Sequence, residues 1–557
     1  MLTRLGPLLA ILLLAGPILA GLAGTLLPAF GYLPALGGEA LSLEPFRQLA
    51  AEPGIGRSVM LSLGVGLAAT LVSVSVVALF LAGWSGTRTF TRLQHLISPL
   101  LSVPHAAAAF GLAFLIAPSG MIARLISPEL TGWDQPPDFQ IVNDPLGLSL
   151  AAGLIVKEIP FLLLVSLAAL QLASPAPRAA LVASLGYGRV AGFLFGTWPA
   201  IYRQVRLAVF AVLAFSTSVV DVAAILGPSS PATLSVRLVG WMGDPDLSMR
   251  FLASAGAVLQ LAVTALALAL WIGVERAAAM SRDMVCEMGT RFRRDGAARF
   301  GGLGAMALAA ALVFAGLATL ALWSVAGLWQ FPEALPSEFT LRTWMNVLPR
   351  VGGPLATTLI VAAASAAIAV AVAILHLSRE GRAGRQRGAL ALVYLPLLVP
   401  QASFLFGLQL LFLLSGFEAS MPALVFAHLV FVLPYVFLSL SDPWRAYDRR
   451  YDAIAAGLGK GRLRTLLAIR LPILTRPILV AAAVGFAVSI GQYLPTLLIA
   501  GGRLPTITTE AVALASGGNR RVIGVYAFLQ MLLPVIGFAI ATLVPALLWR
   551  RFRALRV

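Results

Sequence analysis

Twelve stretches of mostly apolar residues, each long enough to cross a lipid bilayer, divide this chain. A helix rises about 1.5 Å per residue, so roughly 20 residues cover the roughly 30 Å of hydrocarbon. The stretches fall at 5–30, 58–84, 96–117, 147–171, 206–227 and 251–273 in the first half, and at 302–328, 354–377, 389–416, 422–441, 477–500 and 522–549 in the second. An all-α, polytopic membrane protein follows, because inside a bilayer only helices and closed barrels satisfy their own backbone. Only 11% of residues are charged, against about 25% in soluble domains, and 59% are hydrophobic. A soluble enzyme, a disordered regulator and a nucleic-acid-binding domain are excluded. The first stretch, with Arg4 before it and Ala20 and Ala23 within it, also fits a cleaved signal peptide. It is read as a span because the repeat described below needs it.

The net charge of +17 is an orientation signal rather than a nucleic-acid footprint. With the N-terminus in the cytoplasm, 29 of the 40 Lys and Arg lie on the cytoplasmic side and 10 on the other, while Lys157 lies inside a span. Both termini are therefore expected in the cytoplasm, the last helix being closed by Arg550, Arg551, Arg553 and Arg556. The single Cys286 leaves no disulfide and no cysteine-built metal site, and four His supply little for zinc.

The halves repeat each other. P-H-A-A-A-A-F-G-L runs from Pro104 to Leu112, and P-Q-A-S-F-L-F-G-L from Pro400 to Leu408. Downstream, Pro160 pairs with Pro434 and Gly186 with Gly459. Two six-helix units are expected, 1–273 and 302–557, joined by a solvated cytoplasmic tether at 274–301. Each unit has one long cytoplasmic loop between its fourth and fifth spans, at 172–205 and 442–476.

The second of these loops reads Y-D-A-I-A-A-G-L-G-K-G-R-L-R-T-L-L-A-I-R-L-P, with Leu458-Gly459, nine residues, then Ile469-x-Leu471-Pro472. The first reads P-R-A-A-L-V-A-S-L-G-Y-G-R-V-A-G-F-L-F-G-T-W-P, so Gly186 matches Gly459 and Pro199 matches Pro472. Such a segment can lie along the membrane face and present one side to a soluble partner. Gly permits a sharp turn, and Leu471-Pro472 is expected to end the loop helix.

This frame resembles the EAA loop of permease subunits in ATP-binding-cassette (ABC) importers, in which an acid-Ala-Ala stretch precedes Gly, nine residues and I-x-L-P. The halves look like the fused permeases of iron(III)/thiamine-type importers. The stretches S-V-V-D-V-A-A-I-L-G-P-S-S-P-A-T-L-S-V and S-I-G-Q-Y-L-P-T-L-L-I-A-G-G-R-L-P-T-I-T-T-E are similar to that group's fifth helix and the segment after it. The resemblance implies a type I importer permease with MetI-like units, a periplasmic substrate-binding protein, and a pair of separate ATPase subunits, a homodimer. It assigns ATPase docking to Leu185, Gly186, Tyr187, Gly188 and Pro199, and to Leu458, Gly459, Lys460, Gly461, Ile469, Leu471 and Pro472. The chain departs from the pattern at the glutamate position, with Ala180 and Ala453 there and Asp452 one residue early, and at Trp198, where the family has Leu.

Inside the spans a charge costs about 2.5–3.5 kcal/mol on insertion scales, so Lys157, Glu158 and Asp221 must face protein or water. They are candidates for the translocation path, together with His105 and its counterpart Gln401, and with Gln492, the counterpart of Asp221. Lys157 is expected to be held by snorkelling or by an ion pair with Asp221 rather than by solute. Pro104 and Pro400 are expected to bend their helices.

A proton-coupled secondary carrier also has twelve spans in two halves. Its support is the basic loop R-E-G-R-A-G-R-Q-R-G at 379–388, which lacks the carrier pattern's aspartate, and it leaves both Gly-to-Pro loops without a purpose. An enzyme finds no Ser-His-Asp, HExxH or Cys cluster. The chain lacks G-x-x-x-x-G-K-[ST], so no cofactor is expected on it and any ATP must be used by a partner.

Overall fold

The computed structural model describes residues 2–173, 175–378, 393–417 and 419–548. The basic loop at 379–388 and the closing arginines from Arg550 to Arg556 lie outside the described residues. Twelve principal helices follow in order: α1 (Leu2–Ala29), α2 (Ile55–Trp84), α3 (His105–Ile116), α4 (Leu148–Leu172), α5 (Trp198–Ser218), α6 (Met249–Glu287), α7 (Gly296–Val325), α8 (Arg342–Leu377), α9 (Gln401–Leu414), α10 (Met421–Ala446), α11 (Thr475–Ile490) and α12 (Arg520–Leu548). Among the described residues there are no β-strands, only the isolated bridges Leu33–Gly38 and Ala326–Phe339.

Each apolar stretch of the sequence coincides with one of these helices, yet they are not twelve full-length spans. Ten described helical segments are long and apolar enough to cross a membrane, or eleven when the pair Arg462–Ile473 and Thr475–Ile490, bent by 77°, is taken as one. The shortfall is α9, which has 14 residues. Proline is the cause. Pro104 and Pro400 take extended backbone (ψ 151° and 132°) immediately before α3 and α9, so the helix starts there instead of bending through. The fifth and eleventh stretches are broken too, at Val219-Val220 before the short helix Asp221–Leu226 and at Gly491–Tyr493 before Leu494–Ala500.

The halves are interlocked rather than side by side. α1 packs on α9 of the other half, and α7 packs on α3 in the same way. Glycine allows both crossings. A Cβ on Gly111 or Gly316 would sit 2.8–2.9 Å from the other's carbonyl carbon, and a Cβ on Gly24 2.8 Å from the Gly407 oxygen. Small residues let membrane helices approach this closely, which gives dispersion contacts that lipid cannot supply. Thr25 secures the first crossing: its Oγ1 accepts from the Gly407 N–H at 3.1 Å and donates to the Gly21 carbonyl at 3.0 Å. One apolar core joins Ile18, Leu234 and Trp241 to Phe404, Phe406 and Phe431, so it belongs to both halves.

The end remote from the long loops is tied by two arginines. Arg124 donates to the carbonyls of Gln330 (2.7 Å) and Glu333 (3.1 Å) and lies 4.7 Å over the Trp329 ring. Arg520 donates to the Ser119 carbonyl (2.9 Å) and hydroxyl (2.7 Å).

Asp144 starts α4. Its carboxylate accepts from the N–H of Leu146, Leu148 and Ser149 and from the Ser149 hydroxyl, at 2.8–3.2 Å. Burial alone would raise its pKa, but these donors outweigh it and hold the group below its ordinary 3.8. A depressed carboxylate stabilises the fold above its unfolded value and loses that contribution as pH falls through and below 3.8. Asp144→Ala should lower stability by about 1–2 kcal/mol at pH 7, as lost helix caps do. The gap to the native chain should narrow in melting curves recorded below pH 4; a gap constant with pH would exclude the charged cap.

Candidate functional site

The two long loops build the same turn twice. In the first, the helix Pro175–Ser184 ends in hydrogen bonds from Gly186 N–H to the Ala183 carbonyl (2.9 Å) and from Tyr187 N–H to the Val182 carbonyl (3.4 Å). In the second, the helix Arg450–Gly457 ends in bonds from Gly459 N–H to Ala456 (3.0 Å) and from Lys460 N–H to Ala455 (2.9 Å). These paired bonds cap a helix whose next residue is left-handed. Gly186 and Gly459 have φ of +78° and +72°, which glycine adopts without steric cost. Gly188 and Gly461 then take matching extended backbone (φ −60°, ψ 160° and φ −67°, ψ 157°) and open the helices Arg189–Gly196 and Arg462–Thr465.

Each turn therefore projects one leucine outward: Leu185 is 55% exposed and Leu458 71%. Lys460 and Gly461 are exposed, while Tyr187 and Gly188 are half-buried. The second loop helix ends at Leu471-Pro472 as expected, but its counterpart Pro199 starts a helix instead. Pro199 stands in the first turn of α5, which begins at Trp198, whereas Pro472 stands in the last turn of the continuous helix Arg462–Ile473. Pro199 loses nothing there, because an N–H at a helix start has no intrahelical acceptor, while Pro472 removes a donor from the last turn of its helix. The redirection comes beside them, at Thr197 and at Leu474. Ile469 lies in a π-helical turn, Leu466–Arg470, just before. Asp452, the acid nearest the family's glutamate, accepts from the Tyr447 hydroxyl at 2.9 Å and is thereby used within the loop.

The stretch expected as a solvated tether is mostly helix. α6 runs on to Glu287 and α7 begins at Gly296, since Ala277, Ala278, Ala279 and Met280 are strong helix formers. The eight residues between them lie across the first loop: the Gly188 N–H donates to the Arg291 carbonyl at 3.0 Å, and the Val190 N–H to Asp295 Oδ2 at 2.7 Å.

The candidate path residues meet in part. His105 opens α3 directly after Pro104, and its Nε2 lies 3.2 Å from Glu158 Oε1 on α4. The His105 side chain is 36% exposed and Glu158 only 5%, so the imidazole faces the open side of the pair. Asp221, buried at the break after α5, lies within Coulombic reach of His105 and of Tyr493. Lys157 does not meet Asp221. Its Nζ donates to the carbonyls of Leu100 (3.0 Å) and Leu101 (3.3 Å), at the end of the 3-10 turn Ser98–Ser102 that leads to Pro104. Gln401 opens α9 as His105 opens α3, and Gln492 lies in the break after α11; both are half-buried. That break touches the first half, with Gly491 beside Pro104. Sequence reasoning missed the aromatic groups here, namely Phe215 at 4.7 Å from the His105 ring, and Tyr435 near Glu158. They carry no spacing signal, because aromatic residues in an apolar helix look like ordinary core.

No family model matches the chain. It is 31% identical, over 513 residues, to the inner membrane ABC transporter permease protein YnjC of Escherichia coli (strain K12), an alignment that covers 91% of this chain and 91% of that protein. Identity sustained across nearly the full length of both proteins, together with an all-helical bundle of apolar spans, shows that the chain belongs to the inner membrane ABC transporter permeases.

Proposed function

We propose that this permease is the translocating subunit of an importer of the iron(III)/thiamine type, with all twelve helices counting as spans of two duplicated six-helix units, 1–273 and 302–557. Both termini face the cytoplasm, and so do the two turns. A homodimer of separate ATPase subunits seats on the loops at 172–205 and 442–476, through Leu185 to Gly188 and Leu458 to Gly461. A periplasmic binding protein delivers the solute to the far end. The chain itself holds no cofactor; ATP is used by the partner.

The observation that carries this reading is the same glycine-closed turn with an outward leucine, formed at corresponding places in both halves. Closure of an ATPase pair on ATP would draw the turns together and rock the halves about the mid-membrane residues. The solute would meet His105, Glu158 and Asp221 on one side, with Gln401 and Gln492 on the other. Two buried carboxylates, with Lys157 engaged by carbonyls, favour a cation.

Proteoliposomes test it. With ATPase subunits and binding protein supplied, the chain should drive ATP-dependent accumulation that a protonophore leaves intact. Accumulation by the chain alone, or its collapse with the proton gradient, would favour the secondary carrier.

A further inference from the structure

The two turns differ in what places positive charge beside the outward leucine. Near Leu458 the loop itself carries Lys460, Arg462 and Arg464, all exposed. Near Leu185 the equivalent positions hold Tyr187, Arg189 and Ala191. Of these only Arg189 is cationic, and its guanidinium turns toward α2, donating to the carbonyls of Ser85 (2.6 Å) and Ala82 (3.4 Å). Beside its leucine the first loop by itself therefore offers one exposed cation, Arg189, and that one is tied to α2, against three at the second.

The strap 288–295 fills this deficit. It is fastened to the loop through the Arg291 carbonyl and the Asp295 carboxylate, and packed through Phe292, whose ring lies 6.4 Å from that of Phe195. From it the Arg291 guanidinium lies 4.5 Å over the Tyr187 ring and donates to the Tyr187 hydroxyl at 2.8 Å. A cation thus stands where Lys460 stands in the other turn. Arg293 Nε is 3.4 Å from the Gly186 carbonyl, and the Arg293 and Arg294 side chains are exposed. Phe292, between the two arginines, has φ +43°, a conformation unusual for an aromatic residue.

We propose that the strap is part of the first ATPase-docking surface, supplying through Arg291 and Arg293 the cations that Lys460 and Arg464 supply at the second. Both turns then offer a leucine ringed by positive charge, and two identical ATPase subunits with acidic clefts can read them equally. Complementary charge of this kind steers encounter and fixes register. The proposal rests on the reading of the two loops as ATPase-docking sites and assigns their partner's charge.

The test uses the full chain in nanodiscs with its ATPase subunits, and measures the ATPase concentration that half-saturates binding at low and high salt. The double variants Arg291→Gln/Arg293→Gln and Lys460→Gln/Arg464→Gln should each raise it by about tenfold at low salt, or about 1.4 kcal/mol, and flatten its salt dependence. Arg291→Lys/Arg293→Lys should bind as the native chain does, which separates charge from a merely structural loss. Cys286, the single cysteine and exposed, lies close before the strap and gives a second measurement. A photo-crosslinker attached there should capture the ATPase subunit. Undiminished binding by the glutamine strap variant, failure of the lysine variant to restore it, or no adduct from Cys286 would each overturn the proposal. If the native chain bound no ATPase at all, the docking reading itself would fall, an outcome distinct from failure of the strap alone.

Discussion

Gly407→Leu should prevent the chain from accumulating as a folded membrane protein. A Cβ at this position would overlap the Gly21 carbonyl oxygen and sit 2.6 Å from the Thr25 nitrogen and 2.7 Å from the Gly24 carbonyl carbon. All three are backbone atoms, so no rotamer change relieves the clash and α1 must leave α9. Over-packing costs about 1–3 kcal/mol even where side chains can shift, and occasionally more. The Thr25–Gly407 hydrogen bond, worth about 1 kcal/mol, goes with it. The sum is a large fraction of the roughly 5–15 kcal/mol that holds a typical domain folded. Membrane yield and the melting temperature in detergent report the effect. Gly353→Leu is the control, because that glycine is exposed and a Cβ there meets nothing within 4 Å. A Gly407→Leu protein that matched this control would mean the two helices do not cross as described.

The double variant Gly186→Val/Gly459→Val should leave the bundle folded and lower ATPase binding by on the order of a hundredfold. A left-handed conformation costs an L-residue about 1–2 kcal/mol, and β-branched valine tolerates it least. Each turn would then open, the paired hydrogen bonds that cap its helix would break, and Leu185 and Leu458 would no longer be aimed together. About 1–2 kcal/mol at each turn is a factor of roughly 5–30, and the two multiply when both sites must engage. Little else is disturbed. A Cβ on Gly459 meets nothing within 4 Å, and one on Gly186 meets only the Arg293 guanidinium. Asparagine accepts the left-handed region, so Gly459→Asn should keep most of the binding. Full binding by the valine variant would sink the docking role of the turns. Co-purification from membranes and titration in nanodiscs are the measurements.

What the sequence alone decided is what acts over a few residues. Apolar length set the helices, the Gly-x-Gly frame at 186–188 and 459–461 set the turns, and Pro104 and Pro400 set where α3 and α9 begin. Each follows from steric limits on one residue and from hydrogen bonds reaching at most five positions away, so six or seven letters suffice to read it. Even here the shortness of α9 was not legible, because a proline that bends a long helix and one that starts a new helix look alike in one dimension.

Only the tertiary structure decided partners. Lys157 turned to Leu100 and Leu101 instead of Asp221, and the expected tether became a strap on the first loop. The exchange of α1 and α7 between the halves was equally invisible, since the Thr25–Gly407 bond joins residues 382 positions apart. A buried cation accepts any suitably placed carbonyl, and a glycine accepts any close backbone. The sequence states such a need without naming what meets it, and the choice is made by whichever groups the packed helices bring within reach.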